Sequence, residues 1–435
     1  MAHFTKKYFK GHFEKDLNIL DSLPSSLEGI SLSLSQKQAL QKMQGIFFLG
    51  QLLGLPTLHS ILTKFGIQSN SLAVKYKRLC KDLSINKLGS IFEFIFENQV
   101  GEALRKLSEK DPSTWSRKVL TLVLDDSIFR QWLKSQNPAA DFEGFYACFF
   151  SGQYKAAVYG FKVLSLGLCI EGIFYPLYFE FVKRAPKDED ESKDKGTPKP
   201  EKAVELAQKL LSHWGVFKAK LEVKGIQLPH LHLSCDNGYS DKNLAAVCEK
   251  NDLIYISVPK KNHYFEINHK KIKLSDWINQ VYLAAEKAQQ AQEKDLPLAE
   301  KTAFVLRQRA SYCSQNQEVT LLAFRLNGSQ KVSVIYSTDK HIFAKTLRRH
   351  WFQRTYIEQF FKTLKHVLQI SEARVRTKAD FEAKLLRFAF LALQAQSLVR
   401  FLRKKVKDFA GKGFIALQRI LNSDPDFLDL LQSHL

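Results

Sequence analysis

Four residues stand at set intervals in the stretch His350–Ile370: Trp351, Arg354, Glu358 and Lys365. At about 100° per residue along a helix they fall on one stripe. Ile357, Phe360, Phe361, Leu364 and Leu368 form an apolar stripe beside it. Such a helix buries one face and shows an aromatic, an arginine, a carboxylate and a lysine along its edge. A carboxylate flanked by two cations suits a metal ion held next to phosphates. Arg354 and Glu358, four apart, equally suit a surface ion pair worth roughly 0.2–0.5 kcal/mol. Three further acids are candidates to join Glu358. Asp125 and Asp126 end the apolar run VLTLVLDD, and Asp236 follows the strand-like run HLHLSC. Each Asp alone also fits a turn former. Brought together, Asp236, Glu358 and one of the Asp125/Asp126 pair can hold two Mg²⁺ ions, which activate a water or hydroxyl for in-line displacement at phosphorus. Mg²⁺ takes carboxylates and phosphate oxygens, so no His or Cys ligand is needed.

The elements around these acids must bring them together. VLTLVLDD (Val119–Asp126) is continuous in apolar residues, as in a strand buried on both faces. AAVYGFKVLSLGLCI and GIFYPLYFEFVK, joined at Glu171–Gly172, read as an antiparallel hairpin. The charged, Pro-bearing segment Arg184–Ala203 reads as a solvated loop. A helix (EKAVELAQKLLSHWG), a strand ending at Cys235–Asp236, a helix (SDKNLAAVCEK) and a strand (DLIYISVPK) follow. This is the element order of an α/β, RNase H-like core: a mixed five-stranded sheet with flanking helices. In that fold the first and fourth strands are neighbours and the final helix packs across them, so the acids converge. Residues 260–340 interrupt the core with three antiparallel strand patterns and read as a β-rich insertion; the core is then 116–259 and 341–375. Residues 1–115 read as a helical, DNA-binding region. Within it, a short helix from Thr57, a turn at Gly66 and a second helix carrying Lys75, Lys77 and Arg78 have the outline of a helix-turn-helix. Residues 376–435 read as a C-terminal helical region that opens with a long basic amphipathic helix.

Composition limits the partners. The 435 residues carry a formal charge of +21, with 45% hydrophobic and 12% aromatic residues, so the chain is folded and strongly basic. Neutralising phosphates is the natural use of such an excess. Lys260 and Lys261, in a basic and aromatic segment, read as a surface gripping a phosphate backbone. The six cysteines show no C-x-x-C spacing and read as reduced core residues. His213, His232 and His263 share no ligand spacing. The first residues lack the apolar stretch of a secretory signal, and the longest apolar runs are too short to span a bilayer. The expectation is a cytoplasmic, nucleoid-associated protein with no membrane partner.

The spacing W-x₂-R-x₃-E-x₆-K at Trp351, Arg354, Glu358 and Lys365 resembles the Y-x₂-R-x₃-E-x₆-K signature of one cut-and-paste branch of the DDE transposases of bacterial insertion sequences, with Trp in the Tyr place. DDS at Asp125–Ser127 is similar to that family's first acidic motif, and CDNGYSD at Cys235–Asp241 to its second. The β-rich insertion between the second Asp and the Glu is a trait of the same branch. The resemblance covers about Val119 to Lys365. It implies catalytic roles for Asp125 or Asp126, Asp236 and Glu358. The metal ligands would be Asp125, Asp236 and Glu358, holding two Mg²⁺ ions for which Mn²⁺ can substitute. Asp125 fits the family's D-x-S spacing; Asp126 stays open. Arg354 and Lys365 would grip phosphates, and Trp351 would pack on or beside a nucleotide. DNA is the implied partner, as terminal inverted repeats and as target, with a homodimer in the synaptic complex. An aromatic from the insertion can stack on a flipped base in such enzymes; Trp277 is a candidate, with core burial its ordinary alternative. Two other readings compete: an RNase H-like nuclease that cuts without joining, and a non-catalytic DNA-binding protein derived from a transposase.

Overall fold

The computed structural model describes residues 85–118, 120–130, 144–151, 155–183, 200–294, 303–326, 329–371 and 377–405, with short pieces and single positions elsewhere, among them two two-residue strands, Ser26–Leu27 and Ile30–Ser31, that pair antiparallel within the region expected to be helical. The expected helix-turn-helix, with Lys75 and Arg78, lies outside the described residues, as does nearly all of the chain beyond residue 405.

Strand β1 (Leu120–Phe129) is paired along both edges. Leu120, Leu122, Val123 and Leu124 are all but fully buried, as a two-faced apolar strand must be. The strand does not end at its acids. It pairs antiparallel with β3 (Ala156–Ile170) from Thr121↔Cys169 to Phe129↔Phe161, and Phe129 is itself buried. On its other edge β1 pairs parallel with β5 (Leu231–Cys235), and that ladder stops at Leu124↔Cys235. Asp125 and Asp126 therefore sit where β1 loses its parallel partner but keeps its antiparallel one. Between β1 and β3 lies β2 (Tyr146–Ser151), a strand the sequence pattern did not single out; it pairs with the first half of β3. β4 (Ile173–Phe181) completes the expected hairpin. Its two-residue turn has Glu171 at φ 48° and Gly172 at φ 84°, the positive angles of a tight primed turn.

Helix α1 (Ile85–Lys110) precedes β1, and α2 (Pro200–Val223) and α3 (Lys242–Lys250) flank β5. β6 (Leu253–Ser257) pairs parallel with β5. The core order is thus β4–β3–β1–β5–β6, a mixed sheet consistent with an RNase H-like core. The segment after β6 continues the same sheet. β7 (Tyr264–Ile267) and β8 (Lys270–Lys273) form a hairpin, followed by α4 (Leu274–Trp277), a π turn at Ile278–Tyr282 and α5 (Leu283–Gln292). The antiparallel strands β9 (Val305–Tyr312), β10 (Gln317–Arg325) and β11 (Val332–Ser337) come next. β11 pairs with β6, so among the described residues one sheet of eleven strands runs through core and insertion in the order β6–β11–β10–β9–β7–β8 on that side.

The two sheet faces are covered differently. Leu120, Leu122 and Leu124 pack with Leu210, Leu211 and Trp214 of α2. The opposite face carries Thr121, Val123 and Asp125 and is crossed by α6 (Ala344–Gln353) and α7 (Thr355–Lys362). α8 (Lys378–Lys405) lies against α1 and β4. It stands where a long basic amphipathic helix was expected, and Phe381, Leu385 and Phe388–Leu393 are buried. Phe381 stacks on Phe161 at 4.4 Å and Phe390 meets Phe92, so the helix is enclosed by the elements it joins.

Beneath α6, His232 of β5 and His350 are buried and stacked, ring centroids 3.5 Å apart. Thr121 Oγ1 and His350 Nδ1 share a hydrogen bond of 2.7 Å. Burial pushes His232 down to about 4, against the opposing pull of Asp339, and His350 to about 2, with His232 adding to the second shift. Both rings are therefore neutral in the fold. A histidine whose pKa falls on folding leaves stability intact above about 6.5 and erodes it as pH falls below that value toward the folded pKa. We expect the free energy of unfolding to drop by a few kcal/mol between pH 6.5 and 4. His232→Phe, followed by denaturant titration across that range, should flatten part of the slope.

Candidate active site

The helix that carries Trp351, Arg354, Glu358 and Lys365 is not one regular helix from His350 to Ile370. α6 begins earlier, at Ala344, and closes at Gln353; α7 starts at Thr355. Around Arg354 the chain tightens, with Arg354 N–H bonded to Trp351 O (3.1 Å) and Ile357 N–H to Arg354 O (3.2 Å). After α7 it widens into a π turn over Thr363–Val367. The apolar stripe stands as expected: Ile357, Phe360, Phe361, Leu364 and Leu368 are buried. Phe360 meets Phe174 of β4, and Phe361 meets Phe129 of β1, which docks α7 across the sheet.

This docking lays the Arg354 guanidinium over the end of the β1–β5 ladder. Nη1 donates to Asp125 Oδ2 (3.1 Å) and Nη2 pairs with Glu358 Oε1 (2.7 Å). One guanidinium thus bridges a carboxylate of the central strand and a carboxylate of the helix. The Arg354–Glu358 pair is more than a solvated i,i+4 contact, because Arg354 is only 17% exposed and shares its charge with Asp125. Asp125 also caps its neighbour, its Oδ1 accepting from Asp126 N–H at 2.9 Å. Burial pushes the Asp125 carboxyl up to about 7; Arg354 pulls it down, and the charges of Asp126 and Asp236 push it up again.

Asp236 follows β5 directly. It caps a short turn, Asn237–Tyr239, by accepting from Asn237 N–H at 2.7 Å. Its carbonyl oxygen accepts from Tyr239 N–H and from Ser257 Oγ of β6. Asp126 points to the face opposite Asp125. Its Oδ2 accepts from Tyr239 Oη at 2.6 Å, and its Oδ1 pairs with Lys162 Nζ of β3 at 3.3 Å. Lys365, in the π turn, lies over the Phe129 ring at 5.4 Å. Burial lowers it to about 8, while Asp126 and Asp125 pull it upward.

The remaining candidates fall at different distances from this centre. Trp351 is half-buried against Leu347, Ile256 and their cluster, and the Arg354 guanidinium lies over its ring at 4.9 Å. Trp277 is 1% exposed within the main core, which removes it as a stacking platform on the surface. Lys260 and Lys261 are exposed just past β6, beside the β7–β8 hairpin. Two participants were not anticipated. Lys162 is the one charge in a 15-residue strand that is otherwise apolar or small, a signal the sequence did contain. Tyr239 was visible only as part of a motif, without a partner.

The donors gathered here are carboxylate oxygens, which suit Mg²⁺ or Mn²⁺ rather than a thiolate- or imidazole-seeking metal. Among the described residues no three His, Cys, Asp or Glu side chains already stand as a metal cage. The Arg354 guanidinium supplies positive charge between Asp125 and Glu358 instead.

Sheet order and acidic edge together define an α/β frame consistent with an RNase H-like core. Residues 219–393 match a family model described as a transposase DDE domain, which supports a DDE transposase. The matched span takes in Asp236 and Glu358 and begins after the strand that bears Asp125. No curated protein matches the chain.

Removing the guanidinium tests the electrostatics without any substrate. Breaking a fully buried pair costs about 3–5 kcal/mol; for these partly open groups we expect Arg354→Gln to cost on the order of 2 kcal/mol at pH 8. The loss should shrink at pH 6, where Asp125 is protonated and needs no counter-charge. Denaturant melts at the two pH values read the difference directly.

Proposed function

We propose that the chain is an insertion-sequence transposase of bacterial type. It cuts DNA at the ends of its element and joins the freed 3′-hydroxyl to target DNA. The observation that carries this reading is the Arg354 bridge between Asp125 and Glu358, formed beside the point where the β1–β5 ladder delivers Asp236. The family match over residues 219–393 supports the same reading.

In this reading Asp125, Asp236 and Glu358 would hold divalent metal. Mg²⁺, when bound, activates the attacking oxygen and stabilises the leaving one. The chain's own residues do the rest. Arg354 is held by Trp351 and by two carboxylates, so its guanidinium is oriented before any phosphate arrives. Lys365, half-buried against Phe129, would grip a phosphate oxygen, and an incoming phosphate would raise its lowered pKa. Lys260 and Lys261 add backbone contacts from the start of the insertion, and Lys75 and Arg78 from the N-terminal region. The synaptic complex is a homodimer on paired element ends, working in the cytoplasm beside the nucleoid.

Inverted repeats flanking the coding region supply the substrate. With that DNA and Mg²⁺, the protein should nick at the repeat end and transfer the 3′-end to a plasmid target. Glu358→Gln should lower the cleavage rate about 10³-fold or more while leaving repeat binding in gel-shift assays intact. Cutting without joining would assign the chain to nucleases. Repeat binding without any Mg²⁺-dependent cutting would assign it to DNA-binding proteins. A Glu358→Gln protein as active as the parent would remove the helix carboxylate from the chemistry and sink the reading.

A further inference from the structure

Two adjacent aspartates on β1 invite the same role, but the fold gives them different surroundings. Side chains alternate across a strand. Asp125 therefore faces α6 and α7, and Asp126 faces the side of Leu122 and Leu124. Both Asp126 oxygens are engaged there, one by the Tyr239 hydroxyl at 2.6 Å and the other by Lys162 at 3.3 Å. Tyr239 is 3% exposed and its carbonyl oxygen accepts from the Tyr255 hydroxyl. It closes the turn that Asp236 opens: Tyr239 N–H donates to Asp236 O at 3.0 Å, and Asp241 N–H to Tyr239 O at 2.9 Å. A phenol donating to a carboxylate in a buried site makes a short, strong bond that fixes both partners.

We propose that Asp126 is a positioning residue: through the Tyr239 hydroxyl it ties the turn bearing Asp236 to the strand bearing Asp125, with Lys162 holding the Asp126 charge in place. The tie sets the spacing of Asp125 and Asp236 across the open end of the β1–β5 ladder. It rests on the reading of those two acids as metal ligands, and its own contribution is geometric. A turn that loses the tie keeps its ligands but samples more positions, so a cation is bound more weakly.

The test uses the full-length chain and Mn²⁺ as probe. In the metal-free protein, amide hydrogen exchange at Tyr239, Ser240 and Asp241 should quicken about tenfold in Tyr239→Phe, with the rest of the sheet unchanged. Mn²⁺ affinity, read by electron paramagnetic resonance, should weaken about tenfold in the same variant. Asp126→Asn retains an acceptor for the Tyr239 hydroxyl, so it should lose less affinity than Tyr239→Phe. Asp125→Asn and Asp236→Asn should lose Mn²⁺ binding outright. If Asp126→Asn abolishes Mn²⁺ binding while Tyr239→Phe binds as the parent does, Asp126 is a ligand and the proposal is wrong. Parent-like exchange in Tyr239→Phe would overturn it as well. If Asp125→Asn binds Mn²⁺ like the parent, the metal-site reading fails instead, and the exchange data still report on the tie.

Discussion

The parallel pairing of β1 with β5 is the constraint on which the site depends. Two parallel strands release their chains at the same edge, so whatever follows Leu124 and Cys235 emerges side by side. The pairing is buried on both faces and its register is held by side chains with no exposure, Leu122, Leu124, Leu233 and Cys235 among them. A slip of one residue in β1 would turn Asp125 toward α2 and bring Asp126 under Arg354, while placing the leucines of the α2 face against α6. The apolar pattern of the strand thus fixes which aspartate shares Arg354 with Glu358. No contact made by the acids themselves has to do so.

That arrangement has an electrostatic consequence. Asp125, Asp126, Asp236 and Glu358 gather against Arg354, Lys162 and Lys365, so the site is locally acidic within a chain of formal charge +21. The contrast separates two tasks. A basic surface draws polyanions from a distance, and an acidic centre draws cations at short range. Asp125 shows the tension most plainly. Its carboxyl is pushed up to about 7 although Arg354 sits 3.1 Å away, so one guanidinium shared between two carboxylates does not offset the burial. A site left in that condition gains more from an added cation than a fully neutralised one does.

Much of this was legible in the sequence, for definite reasons. A short continuous apolar run has the length and pattern of a central strand, and a hairpin joined at Glu171–Gly172 advertises its turn, so β1, β3 and β4 were readable. Asp236 could be placed because β5 ends on Cys235 with a turn immediately after it. The extent of β1 beyond its acids was not readable. The two edges of the strand end at different residues, and one sequence cannot carry two boundaries. The burial of α8 was hidden because basic residues at its ends masked a central stretch that is apolar on every side. The division of labour between Asp125 and Asp126 was invisible for a different reason: it depends on Lys162 and Tyr239, which lie 36 and 113 residues from Asp126 in the chain.

The irregularity of the helix across the site follows from what its residues must reach. On an ideal helix Glu358 and Lys365, seven apart, would point in nearly the same direction. The side chains they approach do not lie in one direction. Glu358 pairs with Arg354 above the ladder, whereas Lys365 lies over Phe129, four residues farther along β1 than Asp125. The π turn at Thr363–Val367 fits an extra residue into one turn, so the rotation falls behind and Lys365 swings toward β1. Leu368 still finds its buried place, its N–H bonded to Thr363 O at 2.8 Å. The tight turn at Arg354 acts in the opposite sense, overwinding the chain so that the guanidinium reaches down to Asp125 while Trp351 stays packed behind it. A regular helix would satisfy its own hydrogen bonds better. It could not set an arginine, a carboxylate and a lysine around the end of a single strand while keeping five apolar residues in the core.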